Sequence, residues 1–594
     1  MKLVQVMKDP LIQVWRRGLS IMITVLLVIT LSACGPAKST LPSRLVVPTP
    51  SGPATFNYPL NSSAYSVFSY IYDSLLRENP YTSELEPGLA ESWEVSPNGQ
   101  KIVITLRDNL KWSDGEDMTV DDIVFTYNQI YLNDKIPSGA ADILRVGESG
   151  QFPTVRKLDD RRVEFSVPEP FAPFLRYAGG LPILPAHALA EFVSTLDEDG
   201  NPVFLSSWGT DTDTDKIVGN GPYRLESYAP NQRVILQKNP YYWRQDQQGN
   251  EQPYIEQIVW QIMESTDTQL LNFRSGALDS LDVQPEAYPL LKPEEKRGKY
   301  TIYTSGPDTG TVSLAFNLNQ GRNAKTDQPF VQPTKSRWFN NKQFRQAIYY
   351  AINREVMKNN IYLGLGALKH SPIPVQSPYY LSPEEGLKTY DYNLEKAKEI
   401  LAQEGFKLKN GRLVDQEENP VQWTIMIASG NKIRAQMATQ ITQDLAKLGI
   451  KVYTQPLEFN AYVNRLRNRN WETYLGGFTG GFEPHGGYVI WSVDGRLHSF
   501  NQGPQPGQED IVGWKVADWE QQIDDLYVQA SQELDEEKRQ ELYGQAQQII
   551  AEELPFLYMV NPLSFEAIRD RIENLEYTPL GGAFWNLYEL NIQE

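Results

Sequence analysis

The sequence predicts an α/β protein of two or three structural units. Two patterns and the chain length carry that expectation. In "VQWTIMIAS", Val421, Trp423, Ile425 and Ile427 alternate with more polar neighbours, the period of a strand. Met437, Ile441, Leu445 and Leu448 then recur at spacings of four, four and three, which is one face of a helix. Gly449 supplies a C-terminal cap, and "IKVYTQ" returns to strand character. Strand, helix and strand within about 35 residues make a βαβ unit. The chain has 594 residues, more than one hydrophobic core organises.

Other elements follow the same two periods. "KIVITLR" places Ile102, Ile104 and Leu106 on one strand face, and "DDRRVEFSV" behaves likewise. "WSDGEDMTVDD" holds an Asp-Gly turn, with Thr119 as the N-cap of a helix. "NKQFRQAIYYAINREVM" carries Phe344, Ile348, Ala351 and Ile352 on one stripe. "NLEKAKEILAQEGF" starts at Asn393 as N-cap and stops at Gly405. A last helix, "EEKRQELYGQAQQIIAEELP", ends at Pro555.

The N-terminus reads as a targeting segment. Arg16 and Arg17 precede an apolar run from Leu19 to Leu31. As a helix that run reaches about 20 Å, short of the ~30 Å hydrocarbon core. Leu31-Ser32-Ala33-Cys34 resembles a bacterial lipobox, which implies lipidation at Cys34 after removal of residues 1–33. Residues 34–53 then read as a tether. Cys34 is the only cysteine, so no disulfide within the chain is available. The net charge is −19, and the basic leader makes the remainder more acidic still. Such a surface argues against nucleic acid as a partner.

No catalytic signature stands out. The sequence has no G-x-S-x-G elbow, P-loop, H-E-x-x-H or G-x-G-x-x-G after a strand. His187, His370, His485 and His498 lack metal-ligand spacing. Asp211, Asp213 and Asp215 alternate, but Lys216 and Pro222 stand where a calcium loop needs Gly and Glu. Nothing marks one carboxylate pair for acid–base work.

A resemblance carries further. "LEPGLAESWEVSPNGQKIVITLRDNLKWSDGEDMTVDDIVFTY" is similar to the signature of the family 5 extracellular solute-binding proteins. "VGNGPYRLESY", "NPYYW", "FRSGALD", "LAFNLNQ", "NKQFRQAIYYAINRE" and "YNLEKAKEILAQEGF" resemble later family segments in the same order. The resemblance implies a two-lobed periplasmic-binding-protein clamp that delivers a solute to an ABC transporter permease. It implies a monomer without cofactor or enzymatic activity, at the periplasm or cell surface. Lobe I is expected from 54–70, 190–305 and 556–594, a small inserted domain from 71–189, and lobe II from 306–555.

Peptide-binding relatives hold the peptide's ammonium group with an Asp in a segment similar to "GGFTGGFEPHGG", residues 476–487. In this chain Gly480 or Gly481 falls at that position. Three readings stay open. Glu483 replaces the Asp; the ligand is an oligosaccharide or another uncharged solute; or the stretch is a tight turn beside the cleft. The candidate ligand contacts are Tyr65, Phe316, Asn317, Phe478, Glu483, His485 and Trp491. Two other classes remain: a receptor presenting its ligand to a sensor, and a lipid-anchored hydrolase.

Overall fold

The computed structural model describes residues 43–593, apart from 62–64, 139–142, 148, 506, 507, 509 and 579. The signal segment 1–33 and the lipidation site Cys34 lie outside the described residues. The tether expected over 34–53 ends early. Arg44–Thr49 is a strand, paired parallel with Gln257–Ile262. Its three central apolar residues explain why. Leu45 and Val47 enter the large core of the first lobe, while Val46 enters a smaller core with Val259, Phe273 and Leu281. A strand covered on both faces is apolar in a run and cannot serve as a solvated linker.

The protein is a two-lobed α/β clamp. In the first lobe Arg44–Thr49, Gln257–Ile262, Arg233–Lys238 and Tyr223–Ala229 form one sheet in that order. The segment 71–189 contributes a separate antiparallel sheet of Ala90–Val95, Lys101–Leu106, Arg162–Ser166 and Thr154–Lys157. Its helix Val120–Phe125 begins at Thr119, which shares a reciprocal capping box with Asp122. The buried side chains of this insertion are continuous with those of the first lobe, so the two share one core.

The second lobe is built on a five-stranded sheet. Its order is Lys451–Leu457, Gln422–Ala428, Thr473–Gly476, Ser313–Phe316 and Phe556–Tyr558. Gln422–Ala428 and Lys451–Leu457 are parallel, and the helix Lys432–Ala446 joins them as the βαβ unit. Met437, Ile441 and Leu445 are buried, as their spacing requires. Asn431 caps the helix by accepting from the Arg434 amide. That cap sets Arg434 in the first turn, next to the cleft.

Two segments cross between the lobes, and they pair with each other. Tyr300–Pro307 leaves the first lobe, and Val560–Arg569 returns to it antiparallel. The register slips between Thr304 and Gly306, where Gly306 takes φ +81°. Such a bulge bends a strand locally. The Asn561 side-chain amide donates to the carbonyls of Asp308 and Gly310 at 2.8 and 2.6 Å and ties the crossings together. The insertion also touches the second lobe. The Ala172 amide donates to Ser531 O at 2.7 Å, and Gln532 donates to Glu169 at 2.8 Å.

Candidate functional site

The glycine-rich stretch lies where the crossing segment meets the second lobe, and its glycines are required by backbone contact. The Phe478 carbonyl accepts from the Thr311 amide at 2.9 Å, and the Phe478 amide donates to Thr311 Oγ1 at 3.2 Å. A Cβ on Gly477 would lie 1.8 Å from Thr311 O, and one on Gly480 would lie 1.9 Å from Thr309 O. No side chain fits at either place. Gly481 is different, with nothing within 4 Å of its Cβ position. What approaches these glycines is the protein's own crossing strand.

Cavities open on both sides of this junction. One of about 630 Å³ is lined by Gln284 and Glu286 of the first lobe, the crossing residues Asp308–Val312, and Arg434, Met437 and Phe478 of the second. Another of about 270 Å³ lies behind Phe478 and is floored by Trp491, Tyr527 and Phe556. A third, about 380 Å³, adjoins Arg434 and Phe478 from the side of Tyr462 and Leu466. Phe478 lines all three, half-buried and edge-on to Phe556 at 5.9 Å. Arg434 has no ion-pair or side-chain hydrogen-bond partner among the described residues, which is costly unless solvent or ligand supplies one.

The other sequence candidates spread over three environments. Tyr65 begins the helix Tyr65–Ile71 in the first lobe, away from the glycine stretch in sequence and lobe. Phe316 is fully buried, packed on Phe339, Phe344 and Trp423 at 5.0–6.3 Å. It belongs to the second lobe's core and not to a ligand surface. Asn317 is also buried, and its amide donates to the carbonyls of Arg469 and Trp471. It fixes a strand end. Trp491 is 2% exposed, and its ring contributes to the floor of the 270 Å³ cavity.

Glu483 is already paired. Both of its oxygens accept from Arg539 Nη2, at 2.9 and 3.0 Å, and Oε1 also caps the His485 amide. Both side chains are 6% exposed. Burial alone would lower the Arg539 guanidinium, but Glu483 beside it holds it above its ordinary value. Breaking such a buried pair typically costs ~3–5 kcal/mol. A ligand ammonium would have to compete with Arg539, so the expected anchoring role passes to structure. His485 stacks on Tyr488 at 5.2 Å and meets Phe171 of the insertion edge-on at 4.9 Å. Burial, with Arg539 nearby, lowers its pKa to about 3, so the ring is neutral and seals the contact between lobes.

Sequence reasoning missed Arg434, Arg539 and an acidic pair in the first lobe. Arg539 and the acidic pair give no local signal, because each meets its neighbour across a long stretch of chain. Arg434 was visible as the third residue after an N-cap at the C-terminal end of a strand, where α/β sheets place ligands. The pair is Asp282 and Glu566, directly opposite each other on neighbouring strands. Burial, and then Asp282, pushes the Glu566 carboxyl up to about 8. Asp282, more open to solvent, is raised as well by the protein around it. Among the described residues no three His, Cys, Asp or Glu side chains gather as a metal site. No described helix is long and apolar enough to cross a membrane.

The comparisons with known proteins agree on the fold. The model of the "Bacterial extracellular solute-binding proteins, family 5 Middle" matches residues 84–496. The dipeptide-binding protein of Escherichia coli K12 is 26% identical over 569 residues, covering 93% of this chain and 96% of that protein. The oligopeptide-binding protein AppA of Bacillus subtilis, solved with a nonapeptide, superposes with a TM-score of 0.67. It is 22% identical and covers 93% of this chain and all of that one. The binding protein MelB of Agrobacterium fabrum, solved with stachyose, gives a TM-score of 0.71 at 20% identity, covering 93% and 85%.

The glycine contacts generate a contrast. Gly477→Ala is expected to lower stability by at least ~2 kcal/mol through overpacking, while Gly481→Ala leaves it unchanged. Thermal unfolding of the two variants checks this, and equal transitions would contradict the backbone contact.

Proposed function

Because the chain belongs to the family 5 bacterial extracellular solute-binding proteins, we propose that it captures short peptides between its lobes for an ABC transporter. The observation that carries the peptide reading is Arg434. Among the described residues it is a cation without a protein partner, facing a cleft cavity of about 630 Å³ in an acidic protein. A peptide's terminal carboxylate meets that need through a charge-assisted, bidentate contact. An uncharged sugar does not. The dipeptide-binding and oligopeptide-binding relatives support the same ligand class.

The mechanism follows from the layout. The crossing strand and the glycine stretch present main-chain groups beside the cavity, with no side chain over Gly480 or Gly481. An extended peptide backbone can pair with such groups independently of its sequence. Contacts made with both lobes favour the closed arrangement, because a ligand shifts that equilibrium only by its differential affinity. The paired crossings at Gly306 and Asn561 are the place to absorb the rotation. The closed form is what the permease would receive.

Lipidation of Cys34 would keep the clamp at the membrane that holds the permease, in the periplasm or at the cell surface. Mass measurement of the mature N-terminal peptide from membranes is expected to show residues 1–33 removed and a lipid on Cys34. An unmodified Cys34 in that peptide would refute the anchor.

Titration calorimetry tests the ligand. Trialanine is expected to bind at least tenfold more tightly than its C-terminal amide, about 1.4 kcal/mol. Arg434→Gln should erase that difference. Equal affinity for acid and amide in the native protein would remove Arg434 from the site, and binding of stachyose alone would remove peptides.

A further inference from the structure

The cavity of about 380 Å³ beside Arg434 has one wall that the core leaves uncovered. That wall is the helix Phe459–Arg467. Its sequence places Phe459, Tyr462, Val463 and Leu466 at spacings of three, one and three, which is one helical face. Such a face is ordinarily covered by packing. Here Tyr462 is buried, Val463 and Leu466 are half-buried, and Phe459 is 59% exposed. All four line the cavity, and Phe478 and Leu497 extend the apolar lining. A scattered exposed apolar residue needs no explanation, but an apolar stripe aligned on a cavity of this size has the form of a ligand pocket.

The charge around the cavity is one-sided. Arg434, Arg467 and Arg496 line it, and its described lining residues include no Asp or Glu. In a chain of net charge −19 this inverts the sign of the surrounding surface and favours an anionic ligand. Arg434 lines both this cavity and the larger one of about 630 Å³. Its charge reaches Tyr362 in the larger cavity and Tyr462 in the smaller, where it opposes the rise that burial imposes on each phenol. The guanidinium therefore stands at the boundary of the two spaces.

We propose that the 380 Å³ cavity receives the last side chain of the peptide and selects a large apolar residue there, an aromatic one above all. The terminal carboxylate and the last side chain share one α-carbon, so a terminus anchored at Arg434 has its side chain within reach of this cavity. An apolar side chain covers the stripe that the core leaves open. Burying one the size of Phe instead of a methyl group is worth tenfold or more in affinity. Arginines beside an aromatic ring add cation–π attraction. The same arginines oppose a Lys or Arg side chain, while a Glu side chain gains their charge but leaves Phe459 and Leu466 against water. Main-chain pairing does not read side chains, so sequence selection concentrates at this end of the ligand.

The inference rests on the peptide reading, and the test separates the two. Calorimetry would compare trialanine with Ala-Ala-Phe, Ala-Ala-Lys and Ala-Ala-Glu on the native protein. Ala-Ala-Phe is expected to bind at least tenfold more tightly than trialanine, and the Lys and Glu peptides at least threefold more weakly than Ala-Ala-Phe. If trialanine, or the Lys or Glu peptide, matches Ala-Ala-Phe, the pocket is overturned while the peptide reading stands. If no tripeptide binds, the peptide reading fails and the pocket assignment falls with it. Leu466→Glu sets a carboxylate in the apolar stripe and is expected to cut the preference for Phe over Ala at least fivefold. Thermal unfolding is read alongside, because Leu466 is half-buried. Should that variant unfold below the native temperature, Phe459→Ala, at an exposed position, takes its place and must cut the preference at least threefold. A preference that survives in the folded variant overturns the assignment.

Discussion

The cleft depends on two backbones meeting with no side chain between them. Thr309–Thr311 passes Gly477–Gly480 so closely that carbonyl oxygens occupy the places where Cβ atoms would be. This contact does three things at once. It fixes the crossing strand against the second lobe's sheet, because Ser313–Phe316 continues directly into pairing with Thr473–Gly476. It holds Phe478 at the meeting point of three cavities. It lines the cleft cavity with glycine backbone at Gly477 and Gly480, where no side chain stands between cavity and chain.

Charge is distributed around that contact with a division of labour. Glu483 and Arg539 are desolvated together among Tyr379 and Tyr543 and satisfy each other, so that removing either leaves the other charge buried and unpaired. Arg434 faces the cleft cavity and has no protein anion as a partner among the described residues. A charged side chain without a protein partner beside a cavity is a place where a ligand of opposite charge gains a charge-assisted contact. The acidic surface keeps the molecule dispersed and does not itself select the ligand.

Much of the scaffold was legible in the sequence because its signals are local. The alternation in 421–427, the stripe of Met437, Ile441 and Leu445, and the capping pair Thr119 and Asp122 each act within a few residues. The ordered segment resemblance supplied the clamp. The site was less legible, because its geometry is made by distant pairings. Phe316 and Asn317 sit in a family-like segment but point into the core and a strand end. Glu483 looked available because its partner lies on a helix near the other end of the lobe. The tether was overextended because Val46 and its neighbours are buried by strands far along the chain.

The most direct measurement is native mass spectrometry of the mature protein after exposure to an equimolar mixture of tripeptides and stachyose. Capture of a peptide by a closing clamp predicts one-to-one adducts at tripeptide masses. An adduct at the mass of stachyose, or protein that stays bare in the mixture, would contradict it.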